Sequence, residues 1–120
     1  MDRVKVSPYR KDRYFLLEEY SYKDITVPRW FLTDGANIPR VFWSLFPPNS
    51  PEYLSAVVIH DYMCKNVELY GYEKADRYLY EAMIEIGVSK WKAKLFYTCC
   101  KYYHKFKVFK NKIKSILKGV

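Results

Sequence analysis

The sequence predicts an α+β fold, a small N-terminal antiparallel sheet packed against three or four helices. Three observations predict it. β-compatible aromatic and branched residues fill the first third, apolar residues recur every three or four positions through the rest, and no Gly/Ser-rich or low-complexity stretch separates the two parts. With 120 residues, 50 % hydrophobic and 19 % aromatic, the chain has material for one core and not for two. Residues 1–120 therefore read as a single domain, strand-rich over 1–35 and helical over 38–118.

Taken in order, Arg13 to Tyr22 is rich in strand formers, and a turn-like Lys23-Asp24 leads into Ile25-Thr26-Val27, so a hairpin is expected. Pro28 lacks the N–H a ladder needs, which puts the stretch from Val27 to Thr33 on a sheet edge or after a break. Asp34-Gly35 marks a turn, and Asn37 can cap a short helix that admits Pro39 in its first turn and carries Val41, Phe42, Trp43, Leu45 and Phe46. Pro47-Pro48-Asn49-Ser50-Pro51 stops the chain and restarts it. Ser50 suits an N-cap and Pro51 the first helical position, so the next helix is expected from Pro51 to about Asn66.

A further helix from about Tyr72 to Ile86 shows Ala75, Leu79, Ala82, Met83 and Ile86 at helical spacing, with Gly87 placed to end it. Ser89 can cap the last helix, where Trp91, Leu95, Cys99, Tyr102, Phe106, Phe109, Ile113 and Ile116 form the clearest stripe in the chain. That stripe is expected to dock the first half of the helix on the core, and Trp30, Trp43 and Trp91 are expected to be core residues.

Charge is unevenly placed. Of the formal +8, all the excess lies from Val88 onward, where there are ten lysines and no acid. No basic segment precedes an apolar run, and no apolar run approaches the roughly 20 residues that span a bilayer, so neither export nor insertion is expected. Cys64, Cys99 and Cys100 are odd in number with two adjacent, a poor disulfide framework, which points to a reducing, cytoplasmic compartment and to buried, unreactive thiols.

No P-loop, GxSxG elbow, HExxH or dinucleotide fingerprint is present, which removes several enzyme classes. With only His60 and His104 a three-histidine zinc site is excluded. His60 shares a helical stripe with Ala56, Ile59 and Met63 and is expected to be buried, with Asp61 beside it. Such His and Asp mixtures bind divalent metals, although a buried histidine more often hydrogen-bonds a carbonyl or carboxylate. Taken alone, Asp34 before Gly35 is a turn residue, and Asp76 beside Arg77 is an exposed helix acid.

The run Val27-Pro28-Arg29-Trp30-Phe31-Leu32-Thr33-Asp34-Gly35-Ala36-Asn37-Ile38-Pro39-Arg40, then Trp43, Pro48, Tyr53, Ala56, His60-Asp61-Tyr62, Ala75-Asp76 and Met83, resembles the phage and prophage family called domain of unknown function 1353. The resemblance covers about residues 25–87. It departs from the family pattern in having Trp30 where that pattern has Gly and Asn37 where it has Ser. It implies phage or prophage origin, a place in the infected or lysogenic host cell or in the virion, phage proteins as partners, and a shared polar cluster at Asp34, His60, Asp61 and Asp76.

Three functional readings follow. In the first, Asp34, His60, Asp61 and Asp76 hold a divalent ion such as Zn²⁺ or Mn²⁺, and Asp61 with His60 serves catalysis in a metal-assisted hydrolase. In the second, the cluster is a structural network in a non-enzymatic phage accessory or morphogenesis protein. In the third, the lysine-rich C-terminal helix binds nucleic acid or another anionic partner. The first two require Asp34, His60, Asp61 and Asp76 to converge.

Overall fold

A computed structural model describes residues 2–10, 13–33, 50 and 52–119. Strands β1 (Val6–Arg10), β2 (Arg13–Leu16), β3 (Tyr20–Tyr22), β4 (Ile25–Val27) and β5 (Leu32–Thr33) precede helices α1 (Leu54–Lys65), α2 (Val67–Tyr70), α3 (Tyr72–Glu85) and α4 (Lys90–Lys118). The fold is α+β, as the sequence predicts. Asp34 and the short helix expected around Trp43 lie outside the described residues.

The hairpin turns where Lys23-Asp24 places it, with Lys23 in the left-handed region at φ 52°. Alternation then sorts the side chains of β3 and β4. Tyr20, Tyr22, Ile25 and Val27 are buried, while Ser21 and Thr26 face outward and their hydroxyls meet at 3.1 Å. Pro28 ends the hairpin, and the chain joins the other sheet as β5 on the edge of the order β1-β2-β5, with both pairings antiparallel. Between them the Trp30 amide donates to the Leu16 carbonyl at 2.9 Å, and Trp30 adopts φ 72°, at the position where the family pattern carries Gly.

α1 is buried on nearly every side, from Ser55 to Asp61 and at Met63 and Cys64, because it is enclosed by α3, β4 and β5. It begins at Leu54 rather than Pro51. The Ser50 carbonyl, not its hydroxyl, organises this entry by accepting the amides of Tyr53 and Leu54 at 3.1 and 2.8 Å. α2 is a single turn without a counterpart in the sequence-based expectation, and it closes at Gly71 with φ 78°. α3 follows the expected bounds and buries Ala75, Asp76, Tyr78, Leu79, Ala82 and Met83.

α4 departs most from expectation. Its buried residues are Ala93, Phe96, Cys100 and His104, whereas Trp91, Tyr102, Phe106, Phe109, Ile113 and Ile116 of the anticipated stripe are exposed. Two contacts fix this rotation: Phe96 packs on Tyr53 with ring centroids 5.0 Å apart, and His104 reaches a buried carboxylate on α3. Burying His104 requires that partner, and the polar anchor overrides the apolar stripe. Trp30 and Trp91 are exposed, at 58 % and 64 %, contrary to the core role expected of them, and Trp43 lies outside the described residues. Among the described residues no helix is long and apolar enough to cross a membrane.

Candidate metal centre

The side chains that converge lie where α1, α3 and α4 meet. His60 is on the buried α1, one turn before Cys64. Asp76 enters on the inner face of α3, and His104 closes the α4 contact. Asp76 is buried, not the exposed acid its neighbour Arg77 suggested. Its carboxylate bridges two imidazoles: His60 Nε2 donates to Oδ1 at 2.7 Å and His104 Nδ1 donates to Oδ2 at 2.9 Å. The His60 and His104 rings lie 5.6 Å apart, and Tyr72 stacks on His104 at 4.1 Å and 17°.

These bonds assign the tautomers. With Nδ1–H given to Asp76, neutral His104 keeps a lone pair on Nε2, 3.9 Å from Cys64 Sγ, and the thiol is the group that can donate to it. Cys64 Sγ also lies 3.5 Å from His60 Nε2. Burial pushes the Cys64 thiol far up, and the charges of Asp76 and Asp61 push it further, so it is a thiol while no cation is near. Burial likewise raises the Asp76 carboxyl, but the hydrogen bonds from His104 and His60 outweigh it and hold the group below the ordinary carboxylate value. The ionised carboxylate therefore accepts from both rings. His60 Nδ1 is the exception, since it is buried and finds no partner among the described residues.

The donor set passes a chemical test for a metal. One ligand atom each from His60, Cys64, Asp76 and His104 lies within 4.8 Å of the others, and all four residues are buried. Two imidazoles, a carboxylate and a thiol form a borderline set of the kind zinc takes, and four protein donors are the number that closes a structural zinc site.

Of the residues expected from sequence, His60 and Asp76 come together. Asp61 is buried at 1 % exposure but is held by the Thr33 hydroxyl at 2.9 Å and by Lys65 Nζ at 3.3 Å, and it is not one of the four converging donors. Asp34 lies outside the described residues, directly after Thr33 in the chain. Sequence reasoning missed Cys64 and His104. Signals existed for both: Cys64 is four residues from His60 on one helix, and His104 continues the spacing of Phe96 and Cys100.

One groove reaches this centre. A cleft of about 540 Å³ between α3 and α4 has Asp76 and His104 in its lining, Tyr72 and Tyr97 on its walls, and Lys101, Lys105 and Lys112 along one margin.

Comparison with known proteins adds a family and no activity. A family model described as "Protein of unknown function (DUF1353)" matches residues 12–100. An uncharacterized protein, y4jT, of Sinorhizobium fredii (strain NBRC 101917 / NGR234) is 36 % identical over 88 residues, which is 68 % of this chain and 26 % of that protein. The chain thus spans about a quarter of that relative's length. No solved structure matches.

Proposed function

Since the chain belongs to the family of proteins of unknown function DUF1353, which names no activity, we propose from the geometry that it is a metal-binding protein. His60, Cys64, Asp76 and His104 would hold one divalent ion of the zinc class. The observation that carries this reading is the burial of four donors within 4.8 Å of one another, contributed by three different helices. Each residue would have a defined part: Asp76 would supply charge, His60 and His104 nitrogen lone pairs, and Cys64 would release its proton to solvent on binding and close the set as a thiolate. Because the donors come from α1, α3 and α4, occupancy would tie together the three helices that carry most of the core.

The metal-free centre already shows why an ion would be favoured. Among the described residues the buried negative charge of Asp76 is met by hydrogen bonds from two imidazoles and by no cationic side chain. Asp61, fixed by Thr33 and Lys65, and Asp34 are proposed as neighbouring participants on sequence grounds.

A second reading, a metal-assisted hydrolase, is favoured by the groove that reaches Asp76 and His104. A bound ion of this class lowers the pKa of water toward neutrality and polarises an acyl or phosphoryl oxygen. In that reading Cys64 stays protonated and outside the ligand set, the groove admits substrate, and Lys101, Lys105 and Lys112 bias it toward anions. A non-enzymatic phage accessory role with a metal-free network rests on a different observation, that both Asp76 oxygens already have imidazole partners.

Thermal unfolding of chelator-treated protein with added Zn²⁺ or Mn²⁺ decides among these. A ligand at a hundredfold its Kd stabilises by about 2.7 kcal/mol, so a Tm rise of roughly 10 °C is expected, and it should vanish in His104→Ala. Retention of the rise in Cys64→Ser, with metal-dependent hydrolysis, would favour the second reading. No rise in wild type would leave the metal-free network.

A further inference from the structure

We propose that α4 is a peripheral membrane-binding element whose exposed apolar stripe lies on an anionic bilayer surface. The inference is independent of any metal. Tyr102, Phe106, Phe109, Ile113, Ile116 and Leu117 are each at least 40 % exposed, and at about 100° per residue they fall in one sector roughly 100° wide. The buried residues Ala93, Phe96, Cys100 and His104 lie on the opposite side of the same helix. Among the described residues the body of the fold therefore stands behind α4, and only the Phe109 edge of the stripe shares a cleft with α3. From Lys105 to Gly119 every residue is exposed, and beyond Lys112 none lines the cleft with α3.

Charge identifies the occupant. From Val88 onward the chain has ten lysines and no acid. A second copy of this helix is opposed by its flanks: with Phe106, Phe109, Ile113 and Ile116 at a seam, Lys105 and Lys112 border one side and Lys110 the other, so lysine meets lysine in either orientation. Nucleic acid would take up the lysines and leave the apolar stripe in water. An acidic partner helix would need only the flanking lysines. The remaining Lys107, Lys114 and Lys118 lie on the back of the helix, about a helix diameter from a surface on the stripe, and add only to the long-range positive field that steers the chain to an anionic surface. Aromatic and aliphatic side chains on one face, with lysines on the margins and back, make up an interfacial helix that lies in the headgroup plane and does not span.

The test is co-sedimentation of the full chain with vesicles of phosphatidylcholine alone and of phosphatidylcholine mixed with phosphatidylglycerol. Binding is expected to the anionic vesicles only and to weaken with salt, and emission from Trp91, on the same face, should shift blue. Phe109→Ser and Ile113→Ser should each weaken binding at least tenfold, Lys110→Gln and Lys112→Gln about fivefold each, and Asn111→Ala should have no effect. All these positions are exposed, so circular dichroism should report an unchanged fold. The proposal is overturned by absence of binding to anionic vesicles or by equal binding to both kinds. A concentration-dependent dimer that Phe109→Ser dissociates would also overturn it, as would tighter binding to duplex DNA that Phe109→Ser leaves unchanged.

Discussion

Replacing Asp76 by Ala removes the acceptor shared by two buried imidazoles. The chain is left with His60 Nε2–H and His104 Nδ1–H facing apolar neighbours at 0 % and 2 % exposure. A buried donor left without its acceptor costs about 1–3 kcal/mol, so the two together cost about 2–6 kcal/mol, a large part of the roughly 5–15 kcal/mol that holds a domain of this size together. At about 4 °C per kcal/mol the Tm of metal-free protein should fall by roughly 8–24 °C. Asp76→Asn keeps the shape and can still accept from one ring while donating to the other, so it should lose about half as much. Thermal and urea unfolding followed by far-ultraviolet circular dichroism measure both, with the urea slope unchanged if only stability moves. An Asp76→Ala variant melting within about 2 °C of wild type would refute the claim that this carboxylate organises the helical core.

Other expectations concern the periphery. Hydrogen bonds from Lys74 and then Tyr78 lower the exposed Asp24 carboxyl to about 2. A lowered folded-state pKa gives stability that is full above the unfolded value near 4 and is lost as pH falls toward 2, so Asp24→Asn should flatten that stretch of the acid-unfolding curve. Burial first, with neighbouring carboxylates adding, raises the Cys64 and Cys100 thiols; a chromogenic disulfide reagent should therefore label these two only at the rate of unfolding. Trp30 holds φ 72° while its ring packs on Phe15 at 5.6 Å and under the Arg29 guanidinium at 4.4 Å. In Trp30→Gly the relieved strain and the lost contacts are each about 1–2 kcal/mol and should nearly cancel in a urea melt; a loss above about 2 kcal/mol would contradict that balance.

What the sequence made legible was what local chemistry decides. Pro28 and Lys23-Asp24 fixed the hairpin and its end, and Gly87 fixed the end of α3, because each acts through its own backbone. The α4 rotation was not legible. A periodic apolar stripe normally marks the buried face, and here the Phe96–Tyr53 packing and the hydrogen bond from His104 to Asp76 set it instead. The same bond explains why the site was only half visible. His60 and Asp76 could be named from their surroundings in the chain, but His104 lies 28 residues beyond Asp76, and only the packing of α4 on α3 brings it in. Cys64 was assigned to the core by residue type, which its burial satisfies, while its distance to two imidazole nitrogens is a tertiary fact.

Cobalt titration tests the central claim most directly. Co²⁺ substitutes for zinc-class ions, and its visible and near-ultraviolet absorption reports coordination number and thiolate ligation. Saturation at one equivalent is expected, with tetrahedral visible bands and a thiolate charge-transfer band. Cys64→Ser should lose the charge-transfer band alone, and His104→Ala should lose the whole spectrum. A spectrum indistinguishable from free hexaaquo cobalt at every ratio, with a Tm unmoved by the ion, would contradict the metal centre.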